Sequence, residues 1–281
     1  MAPAPRAETF TSIAAARAAW PDVRLLDARE REAFARGHAS GAGNVPAAEF
    51  AERRMELPAR EHAVLVLHDA AAEAHGAALA LAARGFTRVA WLASPLARDA
   101  EGVASLESAA RLWSPSPFLE REHVRAPAGA ALDLACGTGR ATVFLAARGF
   151  RAEGWDVDES ALERARAFAV REGVRAGFAR VDLERGPLPP RDAAYALVTV
   201  SRYLHRALHP WIERALAPGG VLLVETFRLG QERFGPPRRP RHLLEPGELL
   251  RAFPTLRTEW HEESPANAPP VMARLVARRP C

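Results

Sequence analysis

The stretch Ala131-Leu132-Asp133-Leu134-Ala135-Cys136-Gly137-Thr138-Gly139-Arg140 constrains this chain more than any other, because an apolar run carrying one Asp passes straight into a glycine turn. A short apolar run bounded by glycine is a buried strand, and the residues after Gly139 carry a helical pattern. Glycines at 137 and 139 let the chain turn tightly and let a ligand approach the backbone. Gly-x-Gly alone also occurs in dinucleotide folds and in ordinary turns. The longer Gly-x-Gly-x-x-Gly pattern is missing, since Arg140, Ala141 and Thr142 follow Gly139, so no pyrophosphate cradle is expected.

The surrounding sequence narrows the reading. Asp156 closes a second strand-like stretch that begins at Gly149, and Asp182 follows a third, Gly177-Phe178-Ala179-Arg180-Val181. Helical patterns separate the stretches. Asp133, Asp156 and Asp182 therefore fall toward the carboxyl ends of successive parallel strands, along one crevice.

Here the segment resembles the class I S-adenosylmethionine-dependent methyltransferases, whose Asp-x-x-x-Gly-x-Gly signature is met by Asp133, Gly137 and Gly139. Ala215-Leu216-Ala217-Pro218-Gly219-Gly220 leading into Val221–Glu225 is similar to that family's helix, Pro-Gly-Gly turn and fifth strand. The resemblance covers roughly residues 113 to 281. It implies S-adenosyl-L-methionine as cofactor, with the loop from Ala135 to Gly139 on the methionyl part, Asp156 on the ribose, and Asp182 with Leu183 on the adenine. Asp133, Arg140, Val157 and Ser201 complete the cofactor-binding positions it implies. No metal is expected: His205 and His209 lie four apart on a predicted helix, but no third ligand accompanies them.

The first hundred residues read differently. Val23–Arg29 is a buried strand, followed by a helical turn and by Gly37-His38-Ala39-Ser40-Gly41-Ala42-Gly43-Asn44-Val45-Pro46. Asp27, Arg29, Glu32, Phe34, Gly37, His38, Gly41, Ala42, Asn44 and Pro46 are similar to the recurring positions of the rhodanese family. That family's reactive cysteine should follow the strand Ala63–Leu67, where this chain has His68-Asp69-Ala70-Ala71-Ala72-Glu73. Sulfur transfer needs a thiolate, which histidine cannot supply. The domain is therefore expected to be inactive, and to serve as scaffold, vestibule or docking surface for a protein partner.

The fold class expected is α/β in two domains: a rhodanese-like parallel-sheet domain over 1–105, then a Rossmann-like, seven-stranded methyltransferase domain over 106–281, with residues 99–105 as linker. Trp113 and Phe118 read either as pocket-lining or as packing aromatics, and 228–244 as a long loop, either a basic lid or a solvated connection. Every basic residue is arginine, which fits the nucleotide bias of a GC-rich genome better than selection for phosphate. Residues 1–112 hold 13 arginines against 14 acids and the remainder 25 against 20, an excess too diffuse for nucleic acid but suited to an anionic substrate. Two cysteines, Cys136 and Cys281, exclude a disulfide framework. No apolar run approaches membrane-spanning length and Met1–Arg6 has none of leader type, so the cytoplasm is the expected location.

After the fourth strand, Tyr195–Ser201, comes the position that faces the transferred group in this fold, occupied by Tyr203, His205 and Arg206. These are the candidate catalytic residues: His205 as base and an arginine as anion clamp. The motif of enzymes that methylate amide or base nitrogens and the cysteine pair of pyrimidine methylation are both missing, which points to a small-molecule acceptor. The layout resembles tellurite-resistance and thiol-type methyltransferases, implying a thiol or chalcogen anion. Two further readings stay open: an S-adenosylmethionine sensor that docks a partner, supported by Ala196 where many relatives carry an acid, and a macromolecular methyltransferase presented with its target by the first domain.

Overall fold

A computed structural model describes residues 6–94, 103–105 and 109–281, which form two compact units divided between Ser114 and Pro115. The division falls nine residues beyond the expected 105/106 boundary. The reason is local: the Ala110 N–H donates to Ala42 O, and Leu112 packs in the first unit's core beside Leu26, Val45 and Val64. Among the described residues no helix is long and apolar enough to cross a membrane.

The first unit contains β1 (Glu8–Phe10), α1 (Ile13–Ala19), β2 (Arg24–Asp27), α2 (Arg31–Ala35), β3 (His38–Ala39), β4 (Ala42–Asn44), β5 (Ala63–Leu67), α3 (Ala71–Ala83), β6 (Arg88–Leu92) and β7 (Val103–Ser105). Five strands form a parallel sheet in the order β1-β6-β5-β2-β4. All five residues of β5 are buried, as a strand covered on both faces requires. Residues 103–105 are not linker but a strand, antiparallel to β3; residues 99–102 lie outside the described residues.

The second unit contains α4 (Pro117–Glu122), β8 (Ala130–Leu134), α5 (Arg140–Ala147), β9 (Arg151–Asp156), α6 (Glu159–Arg171), β10 (Gly177–Arg180), β11 (Tyr195–Ser201), α7 (His209–Ala215), β12 (Leu216–Phe227), α8 (Leu249–Ala252), β13 (Arg257–Glu263) and β14 (Met272–Arg278). They build the expected seven-stranded sheet, in the order β10-β9-β8-β11-β12-β14-β13. The first five neighbours pair in parallel, and β14 runs antiparallel to both β12 and β13. Chain direction across the sheet reverses between β8 and β11, and a crevice opens at that point beyond the carboxyl ends of the strands.

Local sequence explains the helices that frame the crevice. The Ser116 hydroxyl caps α4, with Pro117 in the first turn where its missing N–H is harmless. Asp158 caps α6 by accepting from the Ser160 and Ala161 amides. Gly139, at φ 78, starts α5; a Cβ there would meet Ala165 Cβ at 2.8 Å and the Phe178 ring at 2.9 Å, so only glycine lets α6 and β10 close against the turn.

Candidate active site

The loop after β8 is fixed from below by a buried carboxylate. Asp133, 3% exposed, accepts from the Thr142 amide at 3.1 Å and the Thr142 hydroxyl at 2.8 Å. Burial outweighs these hydrogen bonds and, with some help from the Asp156 charge, pushes the Asp133 carboxyl up to about 7. Asp133 therefore holds the loop to α5 from beneath. Cys136 also faces inward, because a Cβ on Gly154 would lie 2.7 Å from its sulfur; burial pushes its thiol well above the ordinary range.

Above the loop the groups are accessible. The Gly137 amide donates to Asp156 Oδ2 at 2.8 Å, and the Asp158 amide to Asp156 Oδ1 at 2.9 Å. Each carboxylate oxygen keeps capacity for a further donor. A Cβ on Gly137 would meet nothing within 4 Å, so the loop faces open space. Alongside lies a cleft of about 490 Å³ lined by Ala135, Asp156, Val157, Val181, Asp182, Leu183, Glu184, Arg185 and Tyr203. The Asp182 Oδ1 accepts from the Glu184 and Arg185 amides, which fixes the turn after β10.

Of the expected cofactor-binding residues, the structure brings Ala135, Asp156, Val157, Asp182 and Leu183 together in this cleft, with Gly137 hydrogen-bonded to its rim. Asp133, Gly139 and Arg140 support the loop or begin α5, and Ser201 ends β11 one strand away. Val181, Glu184 and Arg185 were missing from the expected set, although all lie within three residues of Asp182. The cleft fits a nucleoside with an attached cationic chain. It pairs two strand-end carboxylates with the apolar faces of Val157 and Leu183, and its three acids outnumber Arg185.

The expected catalytic residues separate. Tyr203 lines the cleft, its hydroxyl 3.4 Å from Glu184 Oε1. Burial and the charges of Glu184, Asp182 and Asp156 push its phenol well above the ordinary range, so it is a protonated donor at neutral pH. His205 and His209 do not share a helix: His205 precedes the short turn Arg206–Leu208, and His209 opens α7 with its ring against Phe253. Among the described residues no group of three or more His, Cys, Asp or Glu is arranged to hold a metal ion.

Arg206 is engaged within the chain. Its guanidinium pairs with both Glu248 oxygens at 2.6 and 2.8 Å and donates to Arg241 O and Leu243 O, both at 3.0 Å. These bonds pin the segment 228–248, which is held again by Leu229 N–H to Leu244 O and by Gly247 N–H to Glu263 Oε1. The long loop is thus packed onto the sheet by paired groups and is not a free basic lid. Phe118 stacks on Trp260 with centroids 5.7 Å apart, a packing role, and Trp113 is buried beside Arg111.

In the first unit, the place of the reactive cysteine holds His68, whose Nδ1 accepts from the Ala70 amide at 3.1 Å. Buried Arg29 bridges Asp27 at 2.7 Å and Asp69 at 3.0 Å across the point where the order of this sheet reverses, between β2 and β5.

The second unit is built as a class I methyltransferase fold and the first as a rhodanese-like one. Family matches agree: residues 131–220 match the methyltransferase domain family and residues 11–94 the rhodanese-like domain family, so the chain carries one domain of each. It is 38% identical over 103 residues to the ribosomal protein L11 methyltransferase of Thermus thermophilus, covering 36% of this chain and 39% of that protein. It is 34% identical over 157 residues to the trans-aconitate 2-methyltransferase of Rhizobium meliloti, covering 54% of this chain and 52% of that protein. The chain thus spans about half or less of the curated relatives it matches. A solved S-adenosylmethionine dependent methyltransferase from Mesorhizobium loti aligns at 20% identity with a TM-score of 0.46, over 56% of this chain and 95% of that one.

Proposed function

We propose that the second unit is an S-adenosylmethionine-dependent methyltransferase acting on a small anionic acceptor. The observation that carries this reading is Asp156, a carboxylate fixed by the Gly137 and Asp158 amides beside a cleft of about 490 Å³ at the strand ends. Asp156 would take the ribose hydroxyls, Asp182 and the Leu183 backbone the adenine edge, and the Ala135–Gly139 loop the methionyl part. Val157 and Leu183 would cover the base.

When bound, the cofactor would supply an electrophilic methyl group for an acceptor lone pair, with its own sulfur as the leaving group that keeps the bonding electron pair. The chain's own residues contribute alignment and exclusion of water. Tyr203, held protonated, offers a hydrogen bond and no base. An acceptor that arrives ionised needs none, and a thiolate, a chalcogen oxyanion or a carboxylate meets that condition. The alignment with the trans-aconitate enzyme, longer than that with the L11 enzyme, favours a small acceptor. We place the protein in the cytoplasm, where free cysteines such as Cys136 and Cys281 persist, and give the first unit a scaffolding or partner-docking role.

The test is calorimetric titration of the full chain with S-adenosylhomocysteine, for wild type and Asp156→Ala. It is followed by mass detection of S-adenosylhomocysteine formed from S-adenosylmethionine with pooled thiols, selenite, tellurite and carboxylic acids. Binding lost in the variant, with acceptor-dependent product, is the expected result. Binding without product in any pool would favour a cofactor sensor, and no binding would overturn the reading.

A further inference from the structure

Glu184 stands four residues beyond the end of β10 at Arg180, and Tyr203 two residues beyond the end of β11 at Ser201. In the sheet β9 and β8 lie between those strands, so the strands that carry the two residues are three spacings, about 14 Å, apart. The Tyr203 hydroxyl nevertheless lies 3.4 Å from Glu184 Oε1. The two side chains therefore meet across the cleft, between whose walls lie Asp156 at the end of β9 and Ala135 after β8.

The two halves of this contact differ in firmness. The Tyr203 ring packs against the buried cluster that includes Trp155, Leu183 and Leu204. Its backbone follows Arg202, left-handed at φ 56, whose N–H donates to Glu225 O on β12 at 2.7 Å. Glu184 is held at its amide by Asp182 Oδ1 at 2.9 Å, but its side chain is exposed. Among the described residues no arginine pairs with that carboxylate. A separation of 3.4 Å is long for O–H···O, so the contact parts at small cost. The ring is thus a fixed post and the Glu184 carboxylate a movable arm. The hydrogen bond that the protonated phenol can offer is taken here by that arm.

We propose that Tyr203 and Glu184 form a strap across the cleft that retains the bound cofactor, Glu184 being a positioning residue that acts only by holding the Tyr203 phenol. The strap opens by rotation of Glu184 into solvent and closes when its carboxylate accepts again from the phenol. The word cofactor rests on the methyltransferase reading; the strap itself stands on the contact between the two side chains.

The experiment follows the dissociation of tritiated S-adenosylmethionine from the full chain in a filter-binding chase. It compares wild type, Glu184→Ala, Glu184→Gln, Tyr203→Phe and the double variant Glu184→Ala with Tyr203→Phe. Glu184→Ala and Tyr203→Phe should each speed dissociation about fivefold, the loss of one hydrogen bond. The double variant should be no faster than either single one, because both remove the same contact. Glu184→Gln keeps an oxygen for the phenol and should stay within twofold of wild type. Rates that do not change, single effects that multiply in the double variant, or a Glu184→Gln rate as fast as that of Glu184→Ala would each overturn the proposal. A second readout needs no cofactor: tyrosinate absorbance after a rapid jump to alkaline pH, in a chain whose two tyrosines are Tyr195 and Tyr203. In Glu184→Ala one phenol should ionise at lower pH than in wild type, and that phenol should be missing in Tyr203→Phe; identical titrations would overturn the contact. Failure of wild type to bind S-adenosylmethionine would overturn the methyltransferase reading instead, and the phenol titration would still decide the strap.

Discussion

The Gly137 amide donates to Asp156 Oδ2 across the loop after β8, so the carboxylate at the end of β9 and the glycine turn at the end of β8 are one rigid unit. Two glycines in that turn have opposite surroundings, and their alanine variants should separate fold from function. At Gly139 a Cβ meets Ala165 and Phe178 below 3 Å, on top of a φ of 78. Gly139→Ala is expected to lower stability by about 2–4 kcal/mol, from overpacking and left-handed strain together. Gly137→Ala meets nothing within 4 Å, so its expected cost is only the strain of φ 54, about 1–2 kcal/mol, while its methyl group enters the open space beside Asp156. Denaturant titration and S-adenosylhomocysteine calorimetry on both variants check this; equal stability losses would contradict the packing argument.

Asp133 ties part of the stability of the second unit to pH. Its folded-state carboxyl stands near 7, against 3.8 in an open chain. Between those values the unfolded chain has released this proton and the folded chain retains it, so rising pH favours unfolding. The contribution is fully present below about pH 4, is lost through pH 7, and amounts to at most about 4 kcal/mol. Asp133→Asn keeps an oxygen to accept from Thr142 but cannot ionise. The stability of wild type relative to this variant should therefore fall from pH 4 to pH 7 in urea titrations, and a flat difference would show that Asp133 ionises normally in the fold.

Residues 131–140 announced their strand and turn because apolar periodicity and glycine spacing report local burial and local backbone. The same holds for Asp156 and Asp182, each at the edge of its own strand. The engagement of Arg206 was not legible because its partner Glu248 lies 42 residues away, and no local pattern records which side chain a surface arginine will meet. The boundary at 114 was likewise hidden, since the bond from Ala110 to Ala42 and the packing of Leu112 depend on tertiary contact.

The Arg206–Glu248 contact makes a prediction about mobility. Both partners are partly exposed, so the pair is worth only about 1 kcal/mol or less to global stability. Its local effect is larger, because one guanidinium holds Arg241, Leu243 and Glu248 at once. Arg206→Ala should leave the melting temperature within a few degrees of wild type and S-adenosylhomocysteine affinity unchanged. Amide exchange should rise selectively over residues 228–248. Unchanged exchange there would mean that the bonds of Leu229 and Gly247 suffice to hold the segment.

The first unit should transfer no sulfur, and restoring a thiol should not revive it. Arg29, at the reversal point of its sheet, is buried and divided between Asp27, Asp69 and the Gly37 carbonyl. His68 Nδ1 occupies the Ala70 amide, and Glu73 places a carboxylate in the first turn of α3, where a helix would otherwise favour an anion. A thiolate introduced by His68→Cys would stand between Asp69 and Glu73. Those charges raise its pKa and repel thiosulfate. Wild type and His68→Cys should both yield no cyanide-dependent thiocyanate, whereas iodoacetamide should label the new thiol. Replacing Asp69 and Glu73 by serine in the His68→Cys background should then increase thiosulfate reactivity at that cysteine. Thiocyanate formation by the single variant would show that the acids do not block the loop, and that the missing sulfur atom alone silenced this domain.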